Sequence, residues 1–203
     1  SGKISIFFAI VYALGLCLLA FIVLINFNFL TIILAIGSMP LAFLYPLMKR
    51  LTYWPQLFLG ITFNYGLILG WTSINESINF VPIILYFGAI FWTLGYDTIY
   101  GFQDIRDDEI IGLKSTSIKF KENPKKIINI FYLITFLSLI CLGYLMEFNY
   151  IYFIFLIFPF MHLFTYQIRM LNVKKPNICL KLFKSNNLMG LLVYLNLLIG
   201  KIL

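Results

Sequence analysis

Residues 4–25 read ISIFFAIVYALGLCLLAFIVLI, a run of 22 residues without a charged side chain. A helix rises about 1.5 Å per residue, so about 20 apolar residues span the hydrocarbon core of a bilayer, which is roughly 30 Å thick. The run does not alternate apolar and polar residues, as a strand of an outer-membrane barrel would. It therefore predicts a helix that crosses a membrane.

The same apolar character extends over the whole chain. Of its 203 residues, 62% are hydrophobic and 11% are charged, and the mean hydropathy is +0.95. Roughly a quarter of the residues of a water-soluble domain carry charge, so this composition excludes a soluble globular protein. The three cysteines are widely spaced and predict neither a disulfide framework nor a zinc site. We expect an all-α, polytopic transmembrane helical bundle that forms one domain over residues 1–203.

Seven stretches are long and apolar enough to span a bilayer: about 4–25, 29–46, 54–73, 81–98, 126–146, 149–170 and 186–203. Fourteen of the 15 Lys and Arg residues fall on one set of connecting segments, which includes Lys3 and residues 103–126 and 169–184; only Lys201 falls on the other set. The positive-inside rule places the basic segments and the N-terminus in the cytoplasm. The net charge of +7 thus reflects membrane topology, and we expect a lipid bilayer as partner and no nucleic acid.

Five of the eight acidic residues lie within residues 97–109, against the basic trend of these segments. If the fourth span continues as a helix, Asp97, Asp104 and Asp108 share one face, with Asp104 and Asp108 one turn apart. Like charges at this spacing repel each other, whereas a Mg²⁺ ion bound between the two carboxylates makes their proximity favourable. Substrate phosphates commonly complete the coordination of such an ion. The flexible, cationic residues 112–116 follow. The pattern predicts a Mg²⁺ platform for a diphosphate substrate; the alternative is a solvated acidic patch without a ligand.

Two stretches resemble a known family. Residues 96–108 read YDTIYGFQDIRDD and, with GLKST at residues 112–116, resemble the second aspartate motif of the UbiA-type intramembrane prenyltransferases. Residues 45–52 read YPLMKRLT and, with Pro55-Gln56 and Leu59-Gly60, are similar to the second cytoplasmic loop of that family and its following helix. Within the superfamily, the chain most resembles the 4-hydroxybenzoate polyprenyltransferases of ubiquinone biosynthesis.

The resemblance implies nine helices around a central chamber, where two aspartate motifs hold Mg²⁺ ions and a prenyl diphosphate. It implies three catalytic acids, of which the last two are metal ligands: Asp97, Asp104 and Asp108. It also implies four candidates for binding the diphosphate: Tyr45, Lys49, Arg50 and Lys114. The implied reaction is Mg²⁺-assisted ionisation of a polyprenyl diphosphate, followed by capture of the cation by the ring carbon ortho to the phenol of 4-hydroxybenzoate.

Two further expectations concern the acceptor and the location. Asn64, within the third span, fits either hydrogen bonding between helices or contact with the aromatic acid. The resemblance implies a multi-pass protein of the bacterial inner membrane, or of the mitochondrial inner membrane in a eukaryote. Its active-site loops would lie on the cytoplasmic or matrix side.

One departure from the family pattern is large. The first motif of the family, an Asn-Asp-x-x-Asp run, has no counterpart in this sequence, and the start at Ser1 resembles the sequence just beyond that motif. We therefore expect the chain to be the C-terminal seven-helix portion of such an enzyme, inactive by itself. Other functions stay open: a menaquinone-type or haem-type prenyltransferase, or a non-enzymatic multi-span transporter whose acids bind a cation.

Overall fold

The computed structural model describes residues 4–202 and folds them into helices joined by short turns. Seven helical stretches are long and apolar enough to cross a membrane, and they correspond to the seven predicted spans, although the last stretch begins at Pro176 and the predicted span at 186. The all-α polytopic bundle is therefore confirmed. Lys3, one of the basic residues behind the predicted topology, lies outside the described residues.

The elements follow in chain order: α1 (Ile6–Leu24), α2 (Phe29–Leu44), a 3-10 turn (Tyr45–Leu47), α3 (Met48–Leu51), α4 (Pro55–Asn64), α5 (Gly66–Asn75), α6 (Phe80–Gly101), α7 (Ile105–Ile111), α8 (Thr116–Lys119), α9 (Pro124–Leu145), α10 (Tyr150–Phe155), α11 (Ile157–Phe160), a π-helical segment (Met161–Ile168), α12 (Pro176–Lys184) and α13 (Asn186–Ile202). Several spans combine neighbouring elements, such as α4 with α5 and α12 with α13.

Helix α6 lies at the centre of the bundle, where it packs against α4, α9 and α12. Two of its glycines allow α9 to approach closely. A Cβ atom added to Gly88 would lie 2.7 Å from Cβ of Ser138, and one added to Gly95 would overlap the ring of Tyr132. Small residues at such contacts let the backbones of membrane helices pack tightly. The contact between α6 and α9 therefore forms a large part of the core of the bundle.

We expect Gly95→Ala to destabilise the protein, because the new methyl group would overlap the buried ring of Tyr132. That ring cannot easily retreat, since its hydroxyl donates a hydrogen bond to Gln167 Oε1 at 2.5 Å. Overpacking of this kind costs about 1–3 kcal/mol, which exceeds the gain in helix propensity from glycine to alanine. Thermal unfolding in detergent measures the effect.

Gly66→Ala is the matched control, because a Cβ atom at Gly66 meets no atom within 4 Å. This variant should unfold at the wild-type temperature or slightly above it. Equal unfolding temperatures for the Gly95 and Gly66 variants would contradict the packing argument.

The segment 169–184 differs from the prediction of a basic connecting segment, because Pro176–Lys184 forms helix α12. This helix is amphipathic: Cys179 and Leu182 are fully buried against the core, whereas Lys181 and Lys184 are exposed. The lysines made the segment look like a loop. Instead, α12 covers the end of α6 on the basic side of the bundle.

Candidate functional site

The candidate site lies at the basic end of the bundle, where two connecting segments meet. The backbone N–H of Lys114 donates to the carbonyl oxygen of Lys49 at 2.8 Å, and the Lys114 ammonium donates to the carbonyl oxygen of Leu51 at 3.3 Å. Gly112 ends α7 with φ = 78°, a left-handed conformation that favours glycine. The structure thus brings together the two stretches that carry the family resemblance.

Buried hydroxyl and amide groups attach the second of these segments to the core. The Thr116 N–H donates to Gln56 Oε1 at 3.0 Å, and the hydroxyls of Thr98 and Thr116 are 2.6 Å apart. The Ser117 hydroxyl donates to the Thr98 carbonyl at 2.8 Å and would collide with a Cβ atom at Gly101. Buried polar groups that are fully paired fix a single arrangement. Residues 114–117, which the sequence predicted to be flexible up to position 116, are therefore held in place by Lys49, Gln56 and the end of α6.

The acidic residues do not lie on one continuous helix, so that part of the prediction is wrong. Helix α6 ends at Gly101, residues 102–104 form a turn, and α7 begins at Ile105. The side chain of Phe102 is 2% exposed and packs in the core with Ile99, which a straight continuation of the helix toward solvent would not allow. The i, i+7, i+11 spacing therefore does not by itself align the three acids.

Lys49 nevertheless connects two of the predicted acids. Its ammonium nitrogen is 3.6 Å from Oδ2 of Asp108, whose side chain is largely buried in the protein. It also lies within electrostatic reach of the half-buried Asp97, as does the hydroxyl of Tyr45. The backbone N–H of Lys114 is hydrogen-bonded to the Lys49 carbonyl. Five of the predicted site residues therefore form one cluster, which we call the charged rim: Tyr45, Lys49, Asp97, Asp108 and Lys114.

Asp104 and Asp108 are the residues that could hold a metal ion. They are one helical turn apart, and the Asp108 N–H donates to the Asp104 carbonyl at 2.9 Å. Asp104 is exposed and its side chain makes no capping hydrogen bond to α7. Within residues 4–202, no three His, Cys, Asp or Glu side chains gather around one point. The pair fits an ion such as Mg²⁺, which takes few protein ligands and completes its shell with water and phosphate oxygens.

Two other charged residues near the cluster differ in their surroundings. Arg50 is exposed and, among residues 4–202, forms no ion pair, so its side chain is free to reach a bound anion. Glu109 of α7 pairs with Lys121 at 2.7 Å, and this hydrogen bond raises the pKa of Lys121. The Glu109–Lys121 pair is exposed on both sides and separate from Lys49 and Asp108.

A cavity of about 420 Å³ is lined by Tyr96, which precedes Asp97 on α6; we call it the polar cavity. Aromatic rings and amide groups line it: Phe63, Asn64, Trp92, Thr93, Tyr96, Phe183, Lys184, Asn186, Asn187 and Gly190. The rings contact one another, with centroids 5.7 Å apart for both Trp92–Tyr96 and Tyr96–Phe183. Such a lining suits a small, flat ligand that carries a few polar groups.

A second cavity of about 200 Å³, the apolar cavity, shares Asn64, Trp92 and Gly190 with the polar cavity and continues between α6, α9 and α13. Its other lining residues are mostly aliphatic, with Leu85 and Val193 among them. The two cavities therefore form adjoining compartments: the first has amide and aromatic walls and includes residues of α12, and the second is apolar and lies between the membrane-spanning helices.

Asn64 lies at the boundary between the compartments. Its Nδ2 atom donates to the Gly60 carbonyl and to the Thr93 hydroxyl, both at 2.8 Å, and approaches the Ala89 carbonyl at 3.2 Å. Both readings of Asn64 thus keep a structural basis, because the residue bonds between helices and also lines both cavities.

Sequence reasoning missed the aromatic and amide residues that line the polar cavity, notably Trp92, Tyr96 and Asn186. A signal existed for Asn186, because a carboxamide inside a membrane-spanning stretch commonly has a functional or packing partner. Trp92 carried no such signal, since tryptophan is also common where membrane helices meet the interface.

Comparison with known proteins identifies the family. The model of the UbiA prenyltransferase family matches residues 1–192. The chain is 42% identical to human mitochondrial 4-hydroxybenzoate polyprenyltransferase over 203 residues, all of this chain and 54% of that protein. It is 40% identical to the Drosophila melanogaster protein of the same name, covering 52% of it, and 39% identical to 4-hydroxybenzoate geranyltransferase 2 of Lithospermum erythrorhizon, covering 59% of it and 89% of this chain. The chain thus spans about half the length of these relatives.

Solved structures agree on the fold. A UbiA homologue from Aeropyrum pernix superposes with a TM-score of 0.79 at 18% identity, over 98% of this chain and 74% of the homologue. A digeranylgeranylglyceryl phosphate synthase superposes with a TM-score of 0.72 at 19% identity, over 98% of this chain and 71% of the synthase. With seven membrane-capable helices, a matching helical architecture and a family match over nearly its whole length, the chain is a multi-pass membrane protein that belongs to the UbiA prenyltransferase family.

Proposed function

We propose that the protein transfers a polyprenyl group from polyprenyl diphosphate to the ring of 4-hydroxybenzoate, a step of ubiquinone biosynthesis. The observation that carries the proposal is that helix α6 contributes both to the charged rim, which includes Asp97, Asp108 and Lys49, and to the polar cavity, whose lining residue Tyr96 precedes Asp97 in the chain. The names of the relatives point to the same donor and acceptor classes.

The charged rim would bind the diphosphate. Lys49, Arg50 and Lys114 supply cationic donors that neutralise phosphate oxygens, and Tyr45 adds a hydroxyl beside them. Asp104 and Asp108 would hold Mg²⁺, which when bound supplies further positive charge to the leaving diphosphate. The ion pair with Asp108 holds the ammonium group of Lys49 on this rim, where it would meet the diphosphate.

The cavities would bind the two organic groups. Apolar side chains of the apolar cavity suit the isoprenoid units next to the diphosphate, whereas the polar cavity suits the phenol and carboxylate of 4-hydroxybenzoate, with Asn64 among its hydrogen-bonding groups. The contacting rings of Trp92, Tyr96 and Phe183 would help to exclude water from a reactive allylic cation and would stabilise its charge.

The charge distribution and the names of the relatives support a proposed location. The matched human and fly proteins are mitochondrial. By the positive-inside rule, the charged rim would face the mitochondrial matrix or, in a bacterium, the cytoplasm. Substrates would reach the rim from that side of an inner membrane.

A transfer assay tests the proposal. Membranes from cells that express the complete reading frame, incubated with polyprenyl diphosphate, 4-hydroxybenzoate and Mg²⁺, should yield 4-hydroxybenzoate prenylated ortho to the phenol, identified by mass spectrometry. Chelation by EDTA should stop the reaction, and added Mg²⁺ should restore it. The control is membranes of the same host, lacking its own enzyme, without the expressed protein. Transfer only to a dihydroxynaphthoate or to haem, or to no acceptor, would contradict the proposal.

A further inference from the structure

A network of buried polar side chains crosses the bundle behind the polar cavity. Its centre is Asn186, which is 8% exposed. Asn186 Oδ1 accepts hydrogen bonds from Trp92 Nε1 at 2.8 Å and from Gln167 Nε2 at 3.0 Å. Its Nδ2 donates to the carbonyl oxygens of Leu182 and Phe183 at 3.1 and 3.0 Å. Because both ends of the carboxamide are engaged, its oxygen is fixed toward the indole of Trp92.

The network continues away from the cavity and is anchored there. Gln167 is fully buried, and its Oε1 accepts a hydrogen bond from the Tyr132 hydroxyl at 2.5 Å. Its Nε2 also lies 3.3 Å from His162 Nδ1 within the π-helical segment. Hydrogen bonds in a low-dielectric interior are strong and hold one geometry. The position of Asn186 is therefore set by α9 and by the π-helical segment together.

Trp92 is the member of the network that lines both cavities, whereas Asn186 lines only the polar cavity. The ring of Trp92 forms part of the wall between the two cavities. On the cavity side it meets Tyr96 edge to face, with an angle of 78° between the ring planes. On the other side, the hydrogen bond to Asn186 restricts rotation of the indole about its Cβ–Cγ bond.

We propose that Trp92 is the surface against which the ring of the aromatic acceptor packs, and that Asn186 is a positioning residue that holds Trp92 in the required orientation. This inference rests on the proposed transfer to 4-hydroxybenzoate and assigns part of the acceptor site. Two reacting carbon atoms must lie about 3–3.5 Å apart for attack, so a wall that fixes the plane of the acceptor ring contributes directly to productive binding. A rotated indole would both misplace that plane and open one cavity into the other.

The test uses three variants of the full-length protein in membranes: Trp92→Phe, Asn186→Ala and the double variant. Trp92→Phe keeps an aromatic ring but removes the N–H that donates the hydrogen bond. Asn186→Ala removes the carboxamide oxygen that accepts it. Each removes the hydrogen bond between the two residues and should raise KM for 4-hydroxybenzoate about tenfold, the size expected for that one buried bond. Asn186→Ala also removes the bonds to Gln167, Leu182 and Phe183. KM for polyprenyl diphosphate should change by less than about twofold. The double variant should match the single variants within about twofold, because both act on the acceptor through the one hydrogen bond that they share.

Trp54→Phe is the matched control, since Trp54 packs against Phe120 and Lys119 and lines neither cavity. It should leave both KM values unchanged. An unchanged acceptor KM in Trp92→Phe, an equal rise of both KM values, or additive effects in the double variant would each overturn the role of the pair. If Asn186→Ala does not fold, Trp92→Phe alone decides. Wild-type membranes that form no product with 4-hydroxybenzoate would instead contradict the proposed function.

Discussion

Asp108→Asn should lower the rate of prenyl transfer by roughly 10²–10³-fold, the loss seen when one electrostatic contact to a developing charge is removed. Asp108 is nearly buried and forms an ion pair with Lys49. The uncharged amide would bind Mg²⁺ more weakly at the proposed site and would no longer hold the ammonium group of Lys49 in place. Asp104→Asn should have a comparable effect. In both variants, the Mg²⁺ concentration required for half-maximal activity should rise, which a Mg²⁺ titration of the transfer rate measures.

Glu109→Gln is the control for these two variants. Glu109 belongs to the same helix, but its carboxylate pairs with Lys121 on the exposed side. Its amide variant should keep wild-type turnover and Mg²⁺ dependence. Near-normal turnover in both the Asp104 and Asp108 variants would refute the assignment of these acids as metal ligands.

Lys49→Met should raise KM for polyprenyl diphosphate about 10- to 100-fold, the range expected for losing a hydrogen bond to a charged group. Methionine keeps most of the length of the side chain but cannot neutralise a phosphate oxygen. Lys49→Arg, which retains the positive charge, should recover most of the affinity. KM for 4-hydroxybenzoate should stay near the wild-type value in both variants, because Lys49 does not line the polar cavity. Steady-state kinetics with each substrate varied in turn measures the two constants.

Lys121→Met serves as the control, since Lys121 is an exposed lysine at the same end of the bundle, and its partner is Glu109. It should leave both constants unchanged. Equal effects of Lys49→Met and Lys121→Met would mean that the rim acts only through its net charge. An unchanged diphosphate KM in Lys49→Met would remove Lys49 from the proposed site.

The sequence alone predicted the fold class and all seven spans, because the length of a bilayer-spanning helix is set by hydrocarbon thickness and needs no tertiary information. The end of α6 was not predictable in this way. The chain turns at Phe102 because that side chain enters the core and because Gly101 packs against Ser117, and both contacts involve distant parts of the chain. Helix α12 was missed because its lysines suggested a connecting segment, although Cys179 and Leu182 of the same stretch are buried.

For the candidate site, local motifs predicted the residues of the charged rim, and the structure brings Lys49, Lys114 and Asp108 together. The roles of these residues and of Asp104 and Arg50 stay predictions. Motifs could not predict the polar cavity, because its walls come from α4, α6 and the consecutive helices α12 and α13, three parts of the chain that lie far apart in the sequence. Only the fold determines which aromatic residues meet there and which face lipid.

The hydrogen bond between Trp92 and Asn186 joins residues 94 positions apart, and this separation has a consequence for how the protein is made. Ribosomes add about 5–20 residues per second, so Asn186 is synthesised roughly 5–20 s after Trp92. During that interval α6 and α9 can associate through the close contacts at Gly88 and Gly95. The indole N–H of Trp92 has no hydrogen bond to Asn186 until that residue has been synthesised. Completion of the polar network is therefore a late event of biogenesis, and it depends on the insertion of α13.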